Sequence, residues 1–230
     1  PEVLVPEWPS TPLMYRAALR GLGCFDPATL SREDRTRTAA YAAERARTGD
    51  AAAAGSIEDW LASLELVVDV RPLEDVDLAR AAQLVNKTNQ VNLATRRLTE
   101  RELADLAAAP GTDVVTVRVA DRYGEAGLTA VLAVRTDGAE AELTDLVMSC
   151  RVMGRGVERT LLHVASRLAA ARGASALRAT FVPTPRNAPC RAALEAAGPA
   201  RDGDEYRWDL AAPVAAPDHV TLAGPALASG

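Results

Sequence analysis

The chain has 230 residues, with 26 Lys and Arg against 31 Asp and Glu and a formal net charge of −5; charges of both signs are interspersed, which argues against a nucleic-acid-binding face. No apolar run approaches the ~18 residues a membrane span requires, and no charged, apolar and small-residue leader opens the sequence, so no membrane association is expected and a cytoplasmic protein is. Apolar residues make up 48% of the chain but aromatics only 4%, which leaves a core built from Ala, Val and Leu.

In chain order, residues 1–55 read as a helical lead-in: "TPLMYRAALRGLG" is a short amphipathic helix, and "SREDRTRTAAYAAERART" begins on a Ser cap and continues in helix formers. "GDAAAAG" reads as a flexible joint before the helix "SIEDWLASLE". From Leu66 the pattern alternates. The strand "LVVDVRPL" precedes the helix "EDVDLARAAQLVNKTNQ", and a polar stretch, "VNLATRRL", leads to a second helix capped by the Thr99 and Glu102 box. Three strands follow, "DVVTVRVADRY", "GLTAVLAVRT" and "AELTDLVMSC", joined by Gly-containing turns. A helix from Gly156 to Arg172, the strand "ALRATFV", the helix "NAPCRAALEAAG" and the strand "EYRWDL" complete the series.

The order β, α, α, β, β, β, α, β, α, β predicts one α/β domain over residues 56–210, with a mixed, mostly antiparallel sheet because hairpin-length turns join its middle strands. Residues 211–230, rich in Ala, Pro and Gly, read as a linker tail.

Cys24, Cys150 and Cys190, with His163 and His219, have no metal-ligand spacing, so neither a metal site nor a disulfide framework is expected. His163 falls off the apolar stripe of Val157, Leu161, Val164 and Leu168 and is expected on the exposed side of its helix. Cys150 is read as the last residue of its strand, just before Arg151, Val152, Met153, Gly154, Arg155 and Gly156 and a helix start. A glycine turn opening a helix can hold an anionic phosphate on its free N–H groups. An ordinary strand-to-helix turn fits the same spacing.

The element order together with R-x-x-G-x-G resembles the GNAT acetyltransferase fold, in which this turn holds the pyrophosphate of an acyl-CoA; "NAPCRAALEAAGP" looks like that fold's second motif. More closely, "NKTNQVNLATRRLTERE", "DRYGEAGLTAVL", "SCRVMGRGVE" and "PTPRNAPCRAALEAAG" resemble the C-terminal region of FkbH-like proteins, in which a HAD phosphatase is fused to a GNAT-like domain. That resemblance implies loading of an acyl unit, of glyceryl type or related, from a small acyl donor onto the phosphopantetheine thiol of an acyl carrier protein in polyketide biosynthesis. The phosphatase half's D-x-D motif is missing. "DVDLA" at Asp75–Ala79 does not replace it, because its aspartates stand where a helix starts and capping accounts for them. A separate HAD-like phosphatase domain or a larger polyketide synthase is therefore an implied partner, and bisphosphoglycerate dephosphorylation is not assigned to this chain.

Under the resemblance Cys150 is the candidate nucleophile, steadied as a thiolate by Arg151 and the helix start, and Arg151, Gly154, Arg155 and Gly156 hold the phosphate of the pantetheine arm or of CoA. A structural, buried Cys150 is the alternative. Asn187 caps its helix and is placed to touch the pantetheine arm. Asn86, Asn89, Asn92, Arg96 and Arg97 are candidate substrate contacts, since amides suit a hydroxylated acyl group and paired arginines an anion; a solvated helix end is the plain alternative. Asn89 is also a candidate for catalysis, and Asp145 a candidate proton acceptor. No tightly bound cofactor is expected, with CoA or carrier phosphopantetheine as acyl carrier. A conventional CoA-dependent N- or O-acyltransferase and a non-catalytic carrier-docking module are the competing functions.

Overall fold

Along "LTAVLAVR" every side chain from Leu128 to Val134 is buried, and from Ala130 on successive residues face opposite cores. Ala130, Leu132 and Val134 join one cluster and Val131 and Ala133 the other, as period-two alternation demands of a strand covered on both faces; Leu128 joins the second cluster across a register irregularity between it and Ala130. The computed structural model describes residues 6–22, 32–212 and 214–227. The chain divides into two units, Pro1–Glu44 and Arg45–Gly230.

In the first unit α1 (Tyr15–Gly21) presents no buried residue, and Trp8 meets Tyr15 edge-on at 5.8 Å. Cys24 lies outside the described residues. The next helix, α2, is Arg32–Ala53. The expected joint at "GDAAAAG" is instead largely helical, because a run of Ala favours continuing the helix. Ser56 then caps α3 (Ile57–Ser63), accepting from the Asp59 N–H at 3.0 Å.

The remaining elements are β1 (Leu66–Pro72), α4 (Asp75–Lys87), β2 (Val91–Asn92), α5 (Glu100–Ala108), β3 (Thr112–Asp121), β4 (Gly124–Asp137), β5 (Glu140–Met148), α6 (Val157–Ala171), β6 (Ala176–Thr180), α7 (Ala188–Ala196), β7 (Ala200–Asp202), β8 (Glu205–Asp209) and β9 (Val220–Ala223). The sheet order is β7-β8-β6-β5-β4-β3-β1-β9, with β2 against β5. Only β5–β6 and β1–β9 run parallel, so this is the mixed, mostly antiparallel α/β sheet that the sequence predicts. One face is covered by α6 and α7, the other by α4 and α5. Buried alanines at positions 81, 82, 165 and 169 let these helices lie close to the sheet.

Three features depart from expectation. Asp77 does not cap α4; it is buried and receives two bonds from the Arg118 guanidinium, at 2.7 and 3.0 Å. The polar stretch after α4 contains β2, whose two residues complete a ladder with Val147 and Met148. Over residues 214–227 the expected linker tail is structured and supplies β9, which pairs in parallel with Leu66–Asp69.

The tail is fixed at both ends. His163 Nδ1 lies 2.6 Å from the Val214 carbonyl, Arg159 Nε donates to Ala215 O at 3.0 Å, and His219 Nε2 lies 2.9 Å from Arg155 O. His163 is therefore half-buried rather than on an exposed face. Beyond β9, Gly224 has φ +106°, and a Cβ there would stand 2.1 Å from the Val70 carbonyl oxygen. Substitution Gly224→Ala is expected to detach this end of the tail and speed amide exchange of Val220–Ala223, with a loss of about 1–3 kcal/mol in unfolding free energy. Hydrogen exchange with mass detection reads both ends of the tail at once.

Candidate active site

Strands β5 and β6 stay paired for three residues only, Glu140–Glu142 against Ala176–Arg178, and then part. The segment Val91–Leu93 enters the opening: β2 pairs with the end of β5, Leu93 N–H donates to Leu146 O at 3.0 Å, and Val182 N–H donates to Leu93 O at 3.0 Å. A third strand thus satisfies backbone groups that the divergence would strand. The carboxyl ends of two parallel strands, where open α/β sheets collect ligands, are lined by this insertion.

Two buried asparagines hold the site's walls. Asn187, fully buried, donates from Nδ2 to Asn92 O at 3.0 Å and Val182 O at 2.9 Å, and its Oδ1 accepts from the Thr184 N–H at 2.7 Å. It stands at the N-cap of α7 but makes no side-chain cap bond, contrary to expectation, and its amide is engaged by these three bonds. Asn92 donates to Thr88 O at 3.1 Å and accepts from the Thr95 N–H at 2.8 Å. That second bond stabilises Thr95 at φ +53°, a conformation a β-branched residue adopts only under constraint.

Between the walls lies a pocket of about 310 Å³, lined by Thr88, Asn89, Asn92, Thr95, Arg97, Thr184, Pro185 and Arg186. Of the five substrate-contact candidates it takes in Asn89, Asn92 and Arg97. Asn86 is spent on a two-way bond with the Leu98 backbone. Arg96 pairs with Asp145, through Nε to Oδ1 at 2.6 Å and a second contact from Nη2 to Oδ2. Asp145 is buried, takes a further bond from Thr144 Oγ1 at 3.1 Å, and raises the pKa of Arg96 chiefly through its hydrogen bonds. Both carboxylate oxygens of Asp145 are thus engaged within the protein, and Asp145 is not among the residues that line the pocket.

Sequence reasoning missed Thr184, Pro185 and Arg186. They lie in "PTPRN", directly before Asn187, and the dense turn chemistry of two prolines beside Thr and Asn was the available signal.

Cys150 does not end its strand. The ladder closes at Met148, Ser149 N–H donates to Thr129 O at 2.8 Å, and Ser149 Oγ accepts from the Arg151 N–H, which curls Cys150–Val152 into a single 3-10 turn. The turn lifts Cys150 to the surface, where it is exposed. The pairing of Val91 with Met148 brings Asn89 to the same end of β5. Burial, and after it the charge of Arg80, lower the pKa of Arg151, the residue that follows Cys150.

The glycine turn itself is closed. Arg155 is buried and donates to Asp121 Oδ2 at 3.2 Å and to Arg151 O at 2.8 Å, and the Gly154 N–H donates to Glu158 Oε1 at 2.8 Å. A Cβ on Gly156 would lie 2.9 Å from the His219 ring and 3.2 Å from Pro217. Gly156 is small for the tail's approach, and Gly154 serves a φ of +73° with open space beside it. Arg155 and the Gly154 N–H are thus engaged within the chain, and the tail approaches Gly156.

Solved structures similar to this chain include the PaiA N-acetyltransferase from Thermoplasma acidophilum in complex with coenzyme A, at 13% identity over 61% of this chain and 96% of that one, TM-score 0.48. Spermidine N-acetyltransferase from Vibrio cholerae in complex with CoA and spermine is 18% identical over 61% and 92%, TM-score 0.45. The ribosomal-protein-S18-alanine N-acetyltransferase from Escherichia coli is 18% identical over 61% and 89%, TM-score 0.44. No family model and no curated protein matches the chain. Among the described residues, no helix is long and apolar enough to cross a membrane.

The two described cysteines are opposites. Burial pushes the Cys190 thiol from 9.0 up to about 12, against a smaller opposing effect of the Asn92 backbone, so it stays protonated and unreactive. Brief iodoacetamide treatment of the folded protein is expected to label the Cys150 peptide and spare the Cys190 peptide. The same burial makes stability pH-dependent. Below 9.0 the thiol is neutral whether the chain is folded or not; above it the unfolded thiol ionises while the buried one waits until about 12, so stability falls across that interval. Denaturant titrations from pH 8 to about 11 are expected to show this loss in the wild type and a shallower one in Cys190→Ala.

Proposed function

We propose that this chain is an acyltransferase that passes a small acyl unit by way of Cys150 to the phosphopantetheine thiol of an acyl carrier protein. The observation that carries the reading is an exposed cysteine in the turn that directly follows β5, the strand whose last residues pair with β2, which contributes Asn92 to a polar, cationic pocket. The FkbH-like motifs support the carrier as acceptor, and the GNAT-like order of elements supports acyl transfer as the reaction class.

In the first step the Cys150 sulfur, as thiolate, bonds to the acyl carbon, and the bond from that carbon to the donor's leaving group breaks with its electron pair on the leaving group; the thiol proton passes to solvent. In the second, the carrier's thiolate bonds to the same carbon and the Cys150 S–C bond breaks, returning the pair to Cys150. Two exchanges of similar energy replace one harder transfer. Arg97 and Asn89 orient the acyl unit.

A direct CoA-dependent N- or O-acyltransferase is the second reading, supported by the GNAT-like order of elements. In it the glycine turn holds the CoA diphosphate and Cys150 is structural. Intact-protein mass spectrometry of the wild type and Cys150→Ala, with holo carrier protein and a panel of acyl-CoA and acyl phosphate donors, separates the two. An increment on the wild type that moves to the carrier and is lost in Cys150→Ala is the expected result. Equal acylation of the acceptor by both proteins would select direct transfer, and carrier binding without turnover would select a docking role.

A further inference from the structure

We infer that Thr95 is a substrate-contact residue, held in a strained, left-handed backbone conformation while its hydroxyl serves the pocket. This rests on the transfer reading and adds to it a residue whose role is marked by conformation.

Two non-glycine residues among those described have positive φ, Glu65 at +51° and Thr95 at +53°. Of the two, only Thr95 lines the pocket. In that region Cβ crowds the backbone, and a β-branched residue is a true outlier, whereas glycine or asparagine adopts the same turn readily. The backbone around Thr95 is over-determined. Its N–H donates to Asn92 Oδ1 at 2.8 Å, the next residue, Arg96, is tied to Asp145 of β5 at 2.6 Å, and Arg97 donates to Val85 O of α4 at 3.0 Å. Two consecutive arginines are thus drawn to different elements, and the residue before them takes up the turn. These anchors account for the left-handed conformation. They do not account for a threonine in it.

Inside the protein the side chain has no compensating bond: the Thr95 hydroxyl has no hydrogen-bond partner among the described residues, and the residue is half-buried. The acceptors of the other lining side chains are largely taken. Asn92 Oδ1 serves the Thr95 N–H, Asn89 Oδ1 accepts from Arg97 Nη2 at 2.9 Å, and Thr184 Oγ1 accepts from the Arg186 N–H at 3.3 Å. What remains free is mostly donors, among them the guanidinium of Arg186, which has no partner among the described residues. A hydroxyl both donates and accepts, so Thr95 gives the pocket an acceptor that guanidinium groups cannot supply. Thr88 carries another uncommitted hydroxyl, but it stands at an ordinary φ of −88°. Strain retained in a cavity wall, on a polar side chain without an internal partner, is the pattern of a ligand contact.

The test sets stability against acyl transfer in the full chain, with Thr95→Asn, Thr95→Gly and Thr95→Ser and with acetyl-CoA, malonyl-CoA and acetyl phosphate as donors. Thr95→Asn, which tolerates the left-handed region, is expected to melt above the wild-type midpoint, and Thr95→Gly, which also loosens the unfolded chain, at or near it. Acylation of Cys150, read by intact mass, is expected to slow about fivefold or more in Thr95→Gly and to stay within about twofold of wild type in Thr95→Ser, which keeps the hydroxyl. Iodoacetamide reaches Cys150 without using the pocket, so its labelling rate should match wild type in all three variants. Thr95→Gly acylated as fast as wild type would overturn the assignment. So would a Thr95→Asn midpoint below wild type, which removes the strain, or an acylation loss matched by an equal loss of iodoacetamide labelling, which puts the effect at the sulfur. Each of those outcomes leaves the transfer reading standing; a wild type that gains no acyl increment from any donor sinks that reading, and the role of Thr95 with it.

Discussion

Everything at the site follows from the early parting of β5 and β6. Two parallel strands that diverge after three residue pairs leave a row of backbone donors and acceptors facing nothing, and such groups must be satisfied or solvated. Here the chain supplies Val91–Leu93 as the filling and Asn187 as the staple. The side chains flanking that filling, from Thr88 to Arg97, then have no choice but to gather at the strands' carboxyl ends. The pocket is thus the outer surface of a repair to the sheet.

A second constraint acts on the turn after β5. The buried Asp121 draws in both Arg47, at 2.6 Å, and Arg155, at 3.2 Å, and so removes from the turn the cation that its motif advertises. The tail then seals the outside, with His219 over Gly156. The same sequence, R-x-x-G-x-G, is compatible with a phosphate grip or a packing seam, and the choice is made by residues more than thirty positions away on one side and more than sixty on the other. Electrostatics and packing here act together on the turn.

The large elements were legible because their signals are local. Period-two alternation found β3, β4 and β5, and the capping box placed α5 to the residue. The strands that escaped, β2, β7 and β9, have two to four residues each, too few for periodicity, and β9 is made only by pairing with β1. Of the site, Asn89, Asn92 and Arg97 were visible as a polar cluster where a helix should have been indifferent. Asn86 and Arg96 were visible for the same reason, and Asp145 as a charge inside a strand, yet all three have partners within the protein, since a side chain that holds a loop and one that holds a ligand use the same polar groups. Arg186 was invisible because nothing in a single sequence announces which cations go unpaired.

The pairing of β1 with β9 joins the first strand of the sheet to the last. Until residues 220–223 have emerged, β1 presents an open edge, and "LVVDV" is the kind of short, β-branched, weakly charged segment that recruits another chain. The tail is therefore a guard against edge-to-edge association as well as a cover for the turn. Shortening the chain to the end of β8, where the predicted domain appeared to stop, would trade a tidy boundary for an aggregating protein.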